Sequence, residues 1–163
     1  MRNYSRGFTM IEILVALLVF AVGVLGAGAL QLANFNNNKS NFYRSQAIIL
    51  AQEIIDQMRV NPNAARNGSQ FDDINTDNLN VSNPDCQTSS DGCSPDDLAQ
   101  MSLFNWQNNL LNSGVFPLEG TRGTISRDGN AFTVTISWDD QAWDGSTGRK
   151  ATEESSYSVT VTL

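Results

Sequence analysis

The stretch Gly7-Phe8-Thr9-Met10-Ile11-Glu12-Ile13-Leu14, continued by VALLVFAVGVLGAGAL to Leu30 and then Gln31-Leu32, decides how the rest of the chain is read. From Ile13 to Leu30 no side chain is charged or polar, a run of eighteen residues. At 1.5 Å per residue, a helix of that length crosses a hydrocarbon core about 30 Å thick. The run has no polar stripe, so a helix here sits in lipid or in a fully buried core. Two details set it apart. Glu12 lies inside the apolar block, and only seven residues, MRNYSRG, precede Phe8.

Secretory signals place their cleavage site after the apolar region, behind small residues. Here the apolar run passes into Gln31-Leu32-Ala33 and a polar helical pattern, so a cut there is poorly signposted. The small residue followed by a change of character is Gly7, ahead of the block. A cut at that point removes a basic leader and leaves the membrane segment on the product. Arg2 and Arg6 lie on one side of the span, and no cation follows it until Lys39. The positive-inside bias keeps the leader cytoplasmic and exports the remainder.

Gly7-Phe8-Thr9-Met10-Ile11-Glu12 with the apolar run behind it resembles the class III leader of type IV prepilins and pseudopilins. The resemblance implies that a prepilin peptidase cuts between Gly7 and Phe8 and methylates the new amine. Residues 1–7 are then the leader, 8–32 the membrane and filament-core half of a long helix, and 33–163 a periplasmic head. The glutamate also has a physical rationale. An ionised carboxylate in the apolar phase costs about 3 kcal/mol on insertion scales, so it is retained only with a partner. After cleavage the amine of Phe8 lies four residues away, about 6 Å along a helix axis. Its own amine or that of a neighbouring subunit can neutralise Glu12. The resemblance implies the neighbour, which sets the axial stagger of subunits in a filament.

The formal charge is −7, from 10 basic and 17 acidic residues. Removing Arg2 and Arg6 leaves 8 basic against 17 acidic residues, a net −9. Such a surface argues against nucleic-acid binding through phosphates. The head's cations (Arg66, Arg122, Arg127, Arg149 and Lys150) are few and mixed with acids, which speaks against a DNA-uptake pilin. There is no histidine, no metal-ligand spacing and no phosphate loop, so no catalytic residue, metal or cofactor is expected. Cys86 and Cys93 enclose six residues and fit a disulfide in an oxidising periplasm.

Gly23, Gly26 and Gly28 punctuate the membrane segment. They fit ordinary tolerance of glycine in membrane helices, close helix–helix approach through Gly23-x-x-x-Ala27, or local softening. Many major pilins carry a proline in this region; here Ala29 stands instead. Downstream, Ala47, Leu50, Ala51, Ile54, Ile55 and Met58 form an amphipathic stripe, with Phe35, Phe42 and Ile49 prolonging one edge of it. Lys39, Arg44, Gln52, Glu53 and Arg59 take the opposite face. Asn61-Pro62 ends the helix. One helix of about 80 Å is therefore expected from Phe8 to Val60.

Residues 61–94 read as a long polar loop. Ser94-Pro95-Asp96-Asp97 is a helix start, with Leu98, Met101, Leu103, Phe104, Trp106, Leu110 and Leu111 giving one apolar face over about 95–112 and Gly114 as its stop. From residue 121 the period becomes two. Thr121–Arg127 is a weak strand, Asp128-Gly129-Asn130 a hairpin turn, and 132–138 and 157–163 alternate apolar with hydroxyl residues. Val115–Glu119 is a candidate fourth strand. DDQAWDGSTGRKATEE, residues 139–154, reads as a solvated loop. Its Asp139, Asp140 and Asp144 match no EF-hand spacing, and its Trp143 leans toward packing on the sheet edge.

The expected fold is α+β: a long N-terminal helix packed against an antiparallel sheet of three or four strands, with a disulfide-pinned loop and a short second helix. Arg44-Ser45-Gln46-Ala47, Asp56-Gln57-Met58-Arg59-Val60-Asn61, FTVTISWDD and YSVTVTL resemble segments of PilV-type minor pilins. That resemblance implies a structural subunit, single-pass in the inner membrane and then part of an extracellular pilus. The partners it implies are minor and major pilins, an inner-membrane assembly platform and a tip adhesin. A minor pseudopilin of a type II secretion system shares the leader and fold and is the alternative. Replacing Glu12 with alanine is expected to leave leader cleavage intact and to deplete the chain from sheared filaments; normal incorporation removes Glu12 from the mechanism.

Overall fold

The structure, a computed structural model, describes residues 8–88, 92–117, 119–144 and 149–163. The chain divides into two compact units, residues 1–39 and 40–163. Helix α1 (Met10–Val60) contributes to both. In the first unit the described residues are almost entirely helix. Its segment Met10–Gln31 is long and apolar enough to cross a membrane, and none of it is buried by the rest of the protein. Nothing but lipid or other subunits is left to cover such a surface.

The second unit is built on the other half of α1. Ala47, Leu50, Ala51, Ile54, Ile55 and Met58 are all buried, as their 3–1–3–1–3 spacing requires of one helix face. Phe42 and Ile49 do not extend this stripe. They are 48% and 57% exposed, and the core position near them is taken by Tyr43. The side chain of Phe35 lies outside the described residues.

Two short elements follow, α2 (Pro62–Arg66) and β1 (Ile74–Asn75). The segment read as loop thus contributes a strand. Asp73 takes a positive φ of 50° to enter it. Next comes a 3-10 turn (Cys86–Thr88), then α3 (Pro95–Leu111). A capping box starts α3. Ser94 Oγ accepts the Asp97 N–H at 3.1 Å, and the Asp97 carboxylate accepts the Ser94 N–H at 3.0 Å. Hydrogen bonds from the Ser94 side chain and then its backbone hold the Asp97 carboxyl below its ordinary value of 3.8. The buried residues of α3 are Ala99, Leu103, Trp106 and Leu110, a narrower face than the apolar composition indicated.

The sheet is antiparallel in the order β1–β2–β3–β4, with β2 (Arg122–Asp128), β3 (Ala131–Asp144) and β4 (Arg149–Thr162). Gly129 and Asn130 make the two-residue turn between β2 and β3, Gly129 with φ +60°. The fourth strand is β1, not Val115–Glu119. Residues 113–116 form bends, and Leu118 lies outside the described residues. Those bends deliver Phe116, which stacks on Tyr43 at 5.7 Å and meets Trp138 at 5.9 Å. A second correction concerns 139–154. Residues 139–144 and 149–154 are not loop but the far end of a β3–β4 ribbon running past the last β2 rung, Arg122↔Ser137. Residues 145–148, and the side chain of Trp143, lie outside the described residues.

Phe132, Val134, Ile136 and Trp138 of β3 and Ile125 of β2 face the helices in the same core as the α1 stripe. Trp106 joins the layers. Its indole Nε1 donates to the Leu50 carbonyl of α1 at 3.0 Å, and its ring lies under Gly123 of β2. A Cβ at Gly123 would stand 2.5 Å from Trp106 Cη2 and 2.9 Å from Leu110 Cδ2. Close packing leaves the indole nowhere to go. Gly123→Ala is therefore expected to destabilise the chain by about 1–3 kcal/mol. The check is thermal unfolding followed by tryptophan fluorescence in detergent micelles; an unchanged midpoint would show that the indole is not confined.

Candidate functional site

Sequence reasoning named five residues, Gly7, Phe8, Glu12, Cys86 and Cys93. They fall in two places. Gly7, with the rest of 1–7, lies outside the described residues. Phe8 precedes α1 and is 79% exposed. Glu12 occupies the first turn, where its N–H donates to the Thr9 carbonyl at 3.1 Å. A negative side chain in the first turn meets the positive end of the helix dipole. Phe8, Glu12, Ile13, Ala16, Leu17 and Phe20 line one shallow recess along the helix. Counting from Glu12 as i, the carboxylate thus sits among apolar side chains at i−4, i+1, i+4, i+5 and i+8, with an aromatic ring at each end. Chemically this is a surface for lateral helix packing with a single ionisable group set into it.

Cys86 and Cys93 belong to the other unit and are disulfide-bonded, with Cα atoms 5.0 Å apart. Cys86 is buried. The bridge closes a short ring inside a segment with little regular structure, and it limits the conformations of that segment locally. Among the described residues no group of three or more His, Cys, Asp or Glu is placed to hold a metal ion.

The residues that fasten the polar segment 66–81 to the core were not singled out from the sequence. Arg127 is the first. Its guanidinium donates to the carbonyls of Arg66, Gly68 and Gly129, pairs with Asp72 at 3.1 Å, and lies 5.1 Å over the Phe132 ring. Gln107 is the second, its amide donating to the Thr76 and Leu79 carbonyls at 2.9 and 3.1 Å. Thr76 is the third. It is buried, its N–H donates to the Gly123 carbonyl at 3.0 Å, and its Oγ1 accepts the Gly123 N–H at 2.8 Å. The hydroxyl thereby satisfies a β2 backbone donor where β1 has already ended. One signal for Arg127 was available: a long cation beside a hairpin turn, opposite a segment full of uncapped turn carbonyls.

Two family models match the chain. Residues 2–28 match the prokaryotic N-terminal methylation motif, and residues 29–104 match the model described as type IV pilin Tt1218. The matches abut between residues 28 and 29, inside the last turn of the apolar run. Over the matched residues the chain is similar to type IV pilins. No curated protein and no solved structure matches it. The chain's long N-terminal helix, four-stranded antiparallel sheet and disulfide match the type IV pilin fold. The methylation motif and the uncovered apolar segment fit a membrane-anchored pilin that is later assembled. They also imply contact with other pilins and with a prepilin peptidase.

Proposed function

We propose that the chain is a structural minor pilin of the type IV pilus. A prepilin peptidase removes residues 1–7 after Gly7 and methylates the amine of Phe8. Residues 8–32 then anchor the subunit in the inner membrane, with 33–163 as the periplasmic head. On extraction from the membrane the same apolar segment packs in the filament core. There Glu12 is neutralised by the Phe8 amine of a neighbouring subunit. Other minor pilins and the assembly platform join it in priming filament growth, and a tip adhesin is among its partners.

One observation carries this reading. A segment apolar on every face, uncovered in the protein and bearing the methylation motif, continues in a single helix into a head where one face of it is buried. Two further features support it. Phe42 and Ile49, seven residues apart, put a second apolar surface on the solvent side of α1. The Cys86–Cys93 bridge suits the oxidising periplasm.

Cysteines introduced at Phe42 and Ile49 test it, since Cys86 and Cys93 are already paired. In intact cells the reading predicts crosslinks to other pilins, together with loss of twitching and normal protein secretion when the chain is deleted. Crosslinks confined to a secretion apparatus, with secretion lost and twitching kept, assign the chain to the pseudopilins instead.

A further inference from the structure

The sheet ends in β4, and β4 is open. The ladder identifies the groups left over. Leu163 N–H donates to the Asn130 carbonyl, so the odd-numbered residues of β4 make the bonds to β3. The even-numbered residues, Ser156, Ser158, Thr160 and Thr162, therefore turn their N–H and C=O groups outward. Among the described residues no strand pairs with that side. The opposite side of the sheet is closed, by β1, by Thr76 and by the Arg127 ties to residues 66–72.

Natural sheets blunt an exposed edge with lysine, proline, a bulge or a short strand. Ser155–Leu163, SSYSVTVTL, has no charge, proline or glycine. Its pattern is regular on both faces. Tyr157, Val159 and Val161 are only half-buried against the core, which leaves an apolar margin along the inner face. On the outer face Thr160 and Ser158 share hydroxyl hydrogen bonds with Thr133 and Thr135 at 2.9 and 2.8 Å. At the ribbon end the register sets like charges directly opposite one another, Asp139↔Glu154 and Asp140↔Glu153, an unfavourable arrangement. Arg122 bonds Glu154, and among the described residues no salt bridge reaches the other three.

We propose that this edge receives an extended segment of a different protein, added antiparallel to β4. The segment alternates β-branched with hydroxyl residues and carries cations where it passes Glu153 and Glu154. The outward N–H and C=O groups supply the affinity, and the half-covered inner-face margin supplies the side-chain pockets. The four carboxylates fix direction and register through the cations. A second copy does not supply those cations: with β4 paired antiparallel to itself about Ser158, Glu153 and Glu154 meet the uncharged Leu163 and Thr162.

The test uses the full chain in detergent micelles and a capped ten-residue peptide of alternating threonine and valine ending in two lysines. Amide exchange by NMR is expected to slow at least about tenfold at Ser156, Ser158, Thr160 and Thr162 on adding the peptide. The same peptide ending in two glutamates is expected to give no slowing. Ser156→Pro is expected to abolish the effect while Val159 keeps its protection, because the Ser156 N–H makes no bond within the sheet. No slowing with the lysine peptide overturns the proposal, as does equal slowing with both peptides. Slowing that grows with protein concentration alone gives the edge to a second copy and overturns it too. None of these results bears on whether the leader is removed or which pilins the chain meets, so the failure of this proposal and of the minor-pilin reading are separable.

Discussion

Helix α1 must satisfy two solvents along one uninterrupted run of backbone hydrogen bonds. Over Met10–Gln31 it is apolar on every face, and a backbone whose hydrogen bonds are all internal is what a bilayer demands. Beyond Ser40 one apolar face is buried, to the last methyl at Ile54 and Met58. The head is fitted to this second half. Trp106 bonds the Leu50 carbonyl from α3, the inner face of the sheet packs in the same core, and Phe116 fills the space between Tyr43 and Trp138. The helix is therefore both the anchor of the chain and the floor of its folded unit.

The remaining architecture follows from how little regular structure links α1 to the sheet. Residues 61–94 carry few large apolar groups, so burial alone holds them weakly. They are held by polar ties at fixed points: Arg127 on the turn carbonyls, Gln107 on Thr76 and Leu79, the Thr76–Gly123 exchange, and the Cys86–Cys93 bridge. The hydrogen-bonded ties satisfy backbone groups that no strand or helix partner reaches. A polar segment fastened in this way leaves only the two-residue β1 as a sheet edge on that side.

Much of this was legible in the sequence because it rests on local chemistry. The long apolar run, the stripe from Ala47 to Met58, the capping residues Ser94 and Asp97 and the Gly129-Asn130 turn each show a period or a residue type with one structural use. What failed was non-local. Ile74-Asn75 is too short to have a period, and it is a strand only because β2 lies beside it. Residues 139–154 have the Asp, Gly, Ser and Thr composition of a loop, yet the register of the β3–β4 pair carries 139–144 and 149–154 on as a ribbon. Phe42 and Ile49 are apolar at helical spacing and still face outward; spacing shows which residues share a face, not what covers it. As for the candidate site, the motif around Gly7, Phe8 and Glu12 could be read directly, whereas the β4 edge is defined by pairing that only the fold reveals.

The account depends on the apolar rod being trimmed at Gly7 and kept thereafter. Mass spectrometry of the chain purified from cell membranes and from sheared filaments measures this directly. The predicted species begins at Phe8 and carries one added methyl group on its amine. A species that keeps Met1, or one that begins beyond residue 30, contradicts it and leaves only a small acidic α+β domain.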